Sequence, residues 1–269
     1  MPEFEHFLLT RFNVRHEVRA SDDWLRHRLQ YFESVCLPSV KAQTTKVDRW
    51  LVFLDAERDA WFEDRITRLA GDTFEPVWVD GPFLPEIAAR ETLARSSAPW
   101  VITTRMDNDD ALARDFIEAI QSQFRHEREF LNFQAGLQLS EDGRLFYRSD
   151  PSNAFVSLVE PREELVTVFV DWHDRIAEHG PVRQIVAAPM WLQMVHGRNI
   201  GNQIRGIRAN PALLAEWFDV HREAVPVDRL HLVADQVRSA AGLGLRVIRK
   251  PHRVVWALRV AINRIAAKR

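Results

Sequence analysis

Short apolar runs alternate with helix-like spacing through the first half of the chain. Four runs rich in Leu, Val, Ile, Phe and Trp have the length of buried strands: residues 6–12, 49–55, 74–80 and 100–104. Between them, apolar residues recur every three or four positions and predict three helices: residues 22–38, 57–70 and 85–94. Asp22 or Asp23 is placed to cap the first of these helices. The strict alternation predicts right-handed βαβ units and a mostly parallel sheet.

The pattern changes after a further helix predicted over residues 112–126. Short strands are predicted next, the first two forming a hairpin: residues 130–139, 144–148, 155–159 and 167–170. Residues 191–195 predict a helix that leads into a polar loop over 196–203, and two amphipathic helices follow over 211–218 and 228–241. We therefore predict an α/β fold with one mixed sheet. Its parts are a parallel half (about 1–126), a mixed or antiparallel half (about 127–225) and a helical, basic extension (226–269).

Composition indicates a globular chain with a substantial core, because 46% of the 269 residues are apolar and they include nine Trp and sixteen Phe. The net charge of −2 gives no overall field that would favour nucleic acid. Cys36 is the single cysteine, which excludes a disulfide framework and fits a reducing compartment. We expect it to be a packed thiol. With no signal peptide and no stretch of membrane-spanning length in the sequence, we expect a cytoplasmic protein.

The fourth apolar run opens directly into three carboxylates, Asp107, Asp109 and Asp110. Ligands of open α/β sheets bind at the carboxyl ends of the strands. Two carboxylates one residue apart can hold Mg²⁺ or Mn²⁺, which take further ligands from phosphates. The alternative is a helix cap, which would account for Asp109 or Asp110. Capping leaves the mutual repulsion of three crowded carboxylates unexplained.

Two earlier predicted strands also end in aspartate, at Asp55 and Asp80. Each of these residues could be a simple turn former. The carboxyl ends of parallel strands share one edge of a sheet, so together with Asp107 they could line that edge with ligand-binding carboxylates.

The C-terminal tail from residue 244 onward is basic and contains no acidic residue. An apolar stripe runs along it at helical spacing: Val254, Leu258, Ala261 or Ile262, and Ile265. A basic amphipathic helix is typical of membrane-surface binding. The same stripe is equally expected of a helix packed on the core or on a second subunit, so both interpretations stay open.

Taken together, these features resemble a GT-A type nucleotide-sugar glycosyltransferase. The features are the strand ends at Thr10-Arg11-Phe12 and Asp55, the helix with Arg90 and Arg95, and the segment Ile102-Thr-Thr-Arg-Met-Asp-Asn-Asp-Asp110. The segments TRMDNDDAL (104–112) and PMWLQMVHGRN (189–199) are similar to the bacterial family named "putative rhamnosyltransferase". The resemblance covers about residues 6 to 210. It implies a GT-A (Rossmann-like) domain over residues 1–225, with nucleotide-binding and acceptor halves.

The resemblance also implies roles for individual residues. Asp107 and Asp109 match the Asp-x-Asp pair that binds the metal bridging the nucleotide diphosphate, with His196 as a further ligand. The alternative for His196 is a histidine on a surface loop that binds no metal. Donor contacts are expected from residues at the strand ends and the third helix: Thr10, Arg11, Asp55, Arg90, Asp107 and Asp110. Asp110 would hydrogen-bond the sugar, or it would contact the metal ligands without binding the metal itself.

An inverting transferase needs a carboxylate to deprotonate the acceptor hydroxyl, and the second half offers Asp171, which we favour, and Asp150. Asp150 could equally be a turn residue before Pro151. Asp171, like Asp174 close by, could cap a helix. Trp172 and Trp191 could stack on a sugar ring, although a buried tryptophan more commonly belongs to the core.

The sequence thus favours a Mn²⁺- or Mg²⁺-dependent hexosyltransferase that moves a sugar, such as rhamnose, from a nucleotide donor to a cell-surface glycan or lipid-linked acceptor. The basic tail would hold it at the inner membrane face, and a homo-oligomer is compatible with the sequence. One alternative is a Mg²⁺-dependent phosphoryl-transfer enzyme, although no P-loop motif is present. The other is a non-catalytic carbohydrate-binding protein of the same fold.

Overall fold

The computed structural model describes residues 2–15, 18–197 and 203–249. Its strands are β1 Phe4–Arg11, β2 Arg49–Asp55, β3 Glu75–Val79, β4 Trp100–Arg105, β5 Ala111–Leu112, β6 Glu129–Phe133, β7 Ala135–Ser140, β8 Leu145–Ser149, β9 Ser157–Pro161, β10 Val182–Ile185, β11 Trp191–Val195 and β12 Ile207–Arg208. Its helices are α1 Asp22–Tyr31, α2 Leu37–Lys41, α3 Ala60–Ala70, α4 Pro85–Leu93, α5 Phe116–Gln121, α6 Ala212–Trp217 and α7 Arg229–Arg249. A π-helical segment, Phe32–Cys36, joins α1 to α2.

The larger sheet has seven strands in the order β10-β6-β9-β4-β1-β2-β3. The strands β3, β2, β1 and β4 are mutually parallel, and β9 pairs antiparallel with both β4 and β6. Successive residues of β1 alternate between two cores: Leu8 belongs to one, and Phe7 and Leu9 belong to the other. Burial on both faces explains why these strands read as continuous apolar runs. The predicted parallel first half is confirmed.

The second half is shared between two sheets: β6, β9 and β10 extend the larger sheet, and β7, β8, β11 and β12 join β5 in a separate five-stranded sheet, in the order β12-β8-β7-β11-β5. The predicted hairpin exists as the antiparallel pair β7–β8. The apolar run 130–139 is not one strand, however, because Gln134 separates β6 in the first sheet from β7 in the second. The mixed α/β class is confirmed, with two sheets where one was predicted.

Several local predictions are wrong. Residues 191–195 form the strand β11 rather than a helix, since they pair with β7 on one side and β5 on the other. The helix predicted over 112–126 is only α5, and Ala111–Leu112 is a strand. Residues 167–170 form a turn in which Thr167 has a positive φ of 67°.

The first helix also differs from expectation at both ends. The hydroxyl of Ser21, rather than Asp22 or Asp23, accepts the backbone N–H of Trp24 at 3.3 Å. Helical backbone continues past Pro38 to Lys41 through the π segment. Cys36, in that segment, is fully buried, as predicted for a packed thiol.

Helix α7 confirms the predicted amphipathic helix and runs beyond it, to Arg249. Its exposed apolar side chains Leu230, Val233 and Val237 lie on one face, three and four residues apart. Within the described ranges, no helix has both the length and the apolar character needed to cross a membrane. The apolar stripe predicted from Val254 to Ile265, and most of the basic residues of the tail, lie outside the described residues.

Candidate active site

The carboxyl ends of four parallel strands bring the predicted site residues to one edge of the larger sheet. Asp80 follows β3, Asp55 ends β2, Arg11 ends β1, and Asp107 follows β4. Strands β1 and β4 are direct neighbours in this sheet. The edge on which we expected ligand chemistry therefore exists, with Arg11 and Asp107 on adjacent strands.

The three carboxylates lie in a tight turn after β4, and they do not cap a helix. The backbone N–H of Asp110 donates to the carbonyl oxygen of Asp107 at 3.3 Å. The next helix starts only at Phe116, preceded by Asp115, whose side chain makes no capping hydrogen bond. The capping alternative for Asp109 and Asp110 is therefore wrong.

Asp110 is buried and ties the turn to a distant strand. Its Oδ1 accepts the backbone N–H of Met194, in β11, at 2.9 Å. Burial, together with the nearby charges of Asp109 and Asp107, raises the pKa of Asp110 well above its ordinary value. Asp110, of which only 1% is exposed, thus fastens the turn to β11, and its predicted contact with the sugar or support of the metal ligands stays a prediction.

That link explains how two remote residues meet. Strand β5 pairs antiparallel with β11, and β11 ends one residue before His196. As a result, His196 Nε2 lies 3.0 Å from Asp109 Oδ2, and both side chains are buried. The alternative of a surface-loop histidine is excluded by this burial.

Helix α1 supplies three side chains to this pair that the sequence analysis missed. Arg28 forms an ion pair with Asp109 Oδ2 and donates to Asn108 Oδ1 at 3.2 Å. The ring of Tyr31 stacks on His196, with centroids 4.4 Å apart and an interplanar angle of 18°. His27 Nε2 lies 3.4 Å from the other imidazole nitrogen, Nδ1. His27 and Tyr31 are four residues apart, so the missed signal was a polar and aromatic stripe on α1.

Asp107 belongs to a second, cationic group. Arg105 Nη2 donates to Asp107 Oδ1 at 3.1 Å. The guanidinium carbons of Arg11 and Arg105 lie 4.9 and 6.0 Å from the ring centroid of Phe169. Burial would raise the pKa of Asp107, but Arg105 and Arg11 outweigh it and hold that pKa below its usual range. Burial and the neighbouring Arg105 lower the pKa of Arg11 to about 10, still far above neutral pH. The group holds two guanidinium cations against one carboxylate.

Asp109 and His196 have the donor chemistry of a Mn²⁺ or Mg²⁺ site, since a carboxylate and an imidazole converge within 3.0 Å. Asp107 does not join them. Within residues 2–15, 18–197 and 203–249, no group of three or more His, Cys, Asp or Glu side chains is arranged to hold a metal. Of the predicted ligands, the pair thus fits the cation, and the remaining coordination positions would fall to phosphate and water oxygens.

Residues 7–208 match the model of the family described as "Putative rhamnosyl transferase". The chain belongs to this family. The match confirms the predicted resemblance to the rhamnosyltransferase family, and it covers the whole acidic turn and His196. No curated protein sequence matches the chain.

Solved structures give only distant similarities to this rhamnosyl transferase family member. TarS from S. aureus in complex with UDP has a TM-score of 0.42 and 11% identity, with 72% of this chain and 61% of that chain covered. HddC from Yersinia pseudotuberculosis has a TM-score of 0.38 and 10% identity, covering 69% and 91%. The inositol-1-phosphate CTP transferase from T. maritima has a TM-score of 0.38 and 9% identity, covering 75% and 93%. The chain spans only 37% of the longer TarS structure.

Three of the predicted donor-binding residues have other surroundings: Asp55 and Thr10 are buried and hydrogen-bonded, and Arg90 lies on the surface. Asp55 is buried, and its oxygens accept Arg15 Nε at 3.1 Å and Nη2 at 3.0 Å. Thr10 is buried, and its hydroxyl accepts the indole N–H of Trp50 at 3.0 Å. Arg90 lies on the surface of α4, where its 70%-exposed side chain contacts Glu91. In this arrangement Arg11 and Asp107 are the predicted donor residues that lie beside each other.

The predicted base candidates have different surroundings. Asp150 forms an ion pair with Arg148 and accepts the backbone N–H of Ser152 at 3.0 Å, which is the turn-forming alternative. Asp171 accepts from His179 Nε2 at 2.9 Å and does not cap a helix. That hydrogen bond from His179 lowers the pKa of Asp171.

The two candidate tryptophans also differ in their surroundings. Trp191 is core: its ring stacks on Phe155 at 5.2 Å, and its N–H donates to the carbonyl oxygen of Phe133 at 2.9 Å. Trp172 is 57% exposed, and its ring lies 5.8 Å from the Arg11 guanidinium. Only Trp172 presents a face that a sugar could use.

Proposed function

We propose that this chain is a metal-assisted glycosyltransferase that moves a sugar, with rhamnose as the first candidate, from a nucleoside diphosphate to a hydroxyl of a cell-surface glycan or lipid-linked acceptor. The observation that carries the proposal is the convergence of Asp109 and His196 at the acidic turn after β4, where Asp107 of the same turn pairs with Arg105. The family membership supports the glycosyl-transfer chemistry.

The cationic group at the end of β1 and β4 is the proposed contact for the donor's phosphates. Arg11 and Arg105 share the Phe169 ring, and Asp107 neutralises only one of the two charges. Guanidinium groups bind phosphate through paired N–H donors and stay charged at neutral pH. The surplus positive charge would therefore attract a diphosphate.

Asp109 and His196 are the proposed protein ligands of a divalent cation. When bound there, the cation would neutralise the negative charge that builds on the diphosphate as the glycosidic bond breaks. Asp110 would hold the geometry, since it fastens the acidic turn to β11. Tyr31 and His27 would orient the imidazole of His196, one by stacking and one through Nδ1.

Asp171 is the proposed base that receives the acceptor's proton. Its lowered pKa keeps the carboxylate ionised at neutral pH, and His179 fixes its orientation. The next residue, Trp172, offers an exposed ring beside Arg11 on which a sugar could stack. Asp150 is a poorer candidate because it is ion-paired with Arg148, whose guanidinium stays charged, whereas Asp171 is hydrogen-bonded to a histidine and a backbone N–H.

The acceptor side of the proposal includes contact with an anionic membrane surface through α7. Its exposed stripe of Leu230, Val233 and Val237 supplies apolar area, and eight Lys and Arg residues follow from residue 244 onward without an acidic one. Co-sedimentation with vesicles containing phosphatidylglycerol tests this contact. Replacing all three stripe residues by Ser should reduce the bound fraction several-fold, whereas equal binding to neutral vesicles would exclude an electrostatic contact.

Thermal unfolding with nucleotide sugars tests the whole proposal. Uridine, guanosine and thymidine diphosphate sugars would each be added with and without Mn²⁺, to wild type, Asp109→Asn and the control Asp115→Asn. A ligand that binds only the folded state raises the melting temperature by mass action. We expect one nucleotide class to give a Mn²⁺-dependent rise in wild type and in Asp115→Asn, and to lose it in Asp109→Asn. The absence of any nucleotide effect would refute the proposed donor.

A further inference from the structure

Arg28 forms an ion pair with the carboxylate of Asp109, which the proposed divalent cation would bind. Its Nη1 forms an ion pair with Asp109 Oδ2, the same oxygen that lies 3.0 Å from His196 Nε2. The side chain reaches this point from α1, and only 12% of it is exposed. A divalent cation held between Asp109 and His196 would therefore meet the Arg28 charge at close range.

Two cations cannot share this buried carboxylate without strong repulsion, because charges interact more strongly where water is excluded. Either the guanidinium or the divalent ion can neutralise Asp109 closely. In the structure, Arg28 is the cation that pairs with Asp109, and it also donates to Asn108 Oδ1 at 3.2 Å.

We propose that Arg28 is an internal counter-ion that a divalent cation displaces from Asp109, and that the displaced guanidinium then binds a phosphate of the donor. This inference rests on the proposed function. It assigns to Arg28 a positioning role before donor binding and a direct ligand contact after it.

The side chain is suited to such a change. The guanidinium carbon of Arg28 lies 5.1 Å from the ring centroid of Trp24, one turn earlier on α1, which gives the group a second resting contact. Its Nε is buried and has no hydrogen-bond partner among the described residues, so a donor is already available for an incoming oxygen. Arginine forks match phosphate oxygens in pairs, which a point charge does not.

The histidine pair would follow the same change. A hydrogen bond between His196 Nε2 and the Asp109 carboxylate at 3.0 Å requires the tautomer with its proton on Nε2. Nε2 can bind a metal only in the tautomer that protonates Nδ1, and the Nδ1 proton then faces His27 Nε2 at 3.4 Å. The three residues of α1 that line the pair are thus compatible with both arrangements.

The inference makes two coupled predictions. Without nucleotide, Arg28 competes with the metal, so Arg28→Met should bind Mn²⁺ about tenfold more tightly than wild type. With Mn²⁺ saturating, the same variant lacks a phosphate contact and should bind nucleoside diphosphate about tenfold more weakly, since a charge-assisted hydrogen bond is worth on the order of tenfold or more.

The test is a Mn²⁺ titration of the full chain followed by the electron paramagnetic resonance of free Mn²⁺, first with Mn²⁺ alone. Arg28→Met is compared with wild type, with Arg28→Lys, and with Arg26→Met, which removes an exposed arginine of the same helix. Thermal unfolding of each variant shows that it is folded. We expect tighter Mn²⁺ binding in Arg28→Met only, because lysine keeps the competing charge. Calorimetric titration with UDP, GDP and dTDP at saturating Mn²⁺ forms the second arm.

The outcomes separate this inference from the proposed function. Equal or weaker Mn²⁺ binding by folded Arg28→Met overturns the counter-ion role, even if wild type binds metal and nucleotide as proposed. Tighter Mn²⁺ binding without any nucleotide binding by any variant supports the counter-ion role and refutes the donor. If neither wild type nor Arg28→Met binds Mn²⁺, the inference is overturned.

Discussion

Glu160 gives the structure an unusual dependence of stability on pH. Its side chain is fully buried on β9, where Oε1 accepts the backbone N–H of Thr167 at 2.8 Å and Oε2 accepts that of Val166 at 3.1 Å. Arg128 Nε lies 3.9 Å away. Burial outweighs these contacts and raises the pKa of Glu160 to about 7. The carboxyl group holds the turn that carries Phe169, the ring beneath Arg11.

The folded state therefore binds a proton at Glu160 more tightly than the unfolded state does, with an ordinary value of 4.5. This contribution to stability is fully present below pH 4.5 and is lost as pH rises through 7. A shift from 4.5 to about 7 corresponds to about 3 kcal/mol of unfolding free energy. Most of that loss should fall between pH 5 and pH 7.

The assay is urea unfolding at half-unit pH intervals from 5 to 8, on wild type and Glu160→Gln. Glutamine cannot titrate, and its misplaced amide adds a constant penalty, because one of the two backbone N–H groups would meet an NH₂ group. The stability of wild type relative to Glu160→Gln should therefore fall by about 3 kcal/mol across this range. Glu163→Gln, which removes an exposed carboxylate nearby, should show no such trend.

A difference that stays flat with pH would refute this reasoning. It would mean that the two backbone N–H groups and Arg128 stabilise the ionised carboxylate as strongly as burial penalises it.

Three further predictions follow from other contacts. Gly136→Ala should destabilise the fold by about 3 kcal/mol in urea unfolding, because a Cβ would lie 2.0 Å from the Trp191 ring, whereas Gly197→Ala, whose Cβ position has no atom of the described residues within 4 Å, should be neutral. Arg11→Met should weaken nucleoside diphosphate binding about tenfold in calorimetric titration; unchanged affinity would remove it from the donor site. Asp171→Asn should lower kcat about 100-fold with little change in the donor KM, and equal loss in both would indicate a binding role instead.

The sequence predicted the first half of the fold well because its strands are buried on both faces. Their apolar runs are continuous, and the predicted strand over residues 49–55 coincides with β2. The helix predicted over residues 191–195 was wrong for a related reason. Five residues, four of them apolar, are too few to reveal a period, and the partners that make them a strand, β7 and β5, lie far away along the chain.

The sequence predicted site residues only where they form a local motif. The Asp107–Asp110 cluster is visible as a strand that opens into carboxylates, and the family resemblance added His196. Arg28 could not be found in this way, because a charged residue between apolar helix positions looks like part of a solvated face. Its partner, Asp109, lies in a different element, and only the packing of α1 over the edge of the sheet brings the two together.

The buried hydrogen bond from Met194 to Asp110 limits which segments of the chain can tolerate insertions or deletions. Asp109 and His196 are held together where β5 pairs with β11, and β7 holds the other side of β11. Insertions or deletions in the intervening loops, other than the loop that carries Phe169, Asp171 and Trp172, would thus leave Asp109 and His196 in place. A slip of β11 by a single residue would instead turn its side chains to the opposite face. Those other loops can accordingly vary in length, while the two pairings of β11 keep Asp109 and His196 together.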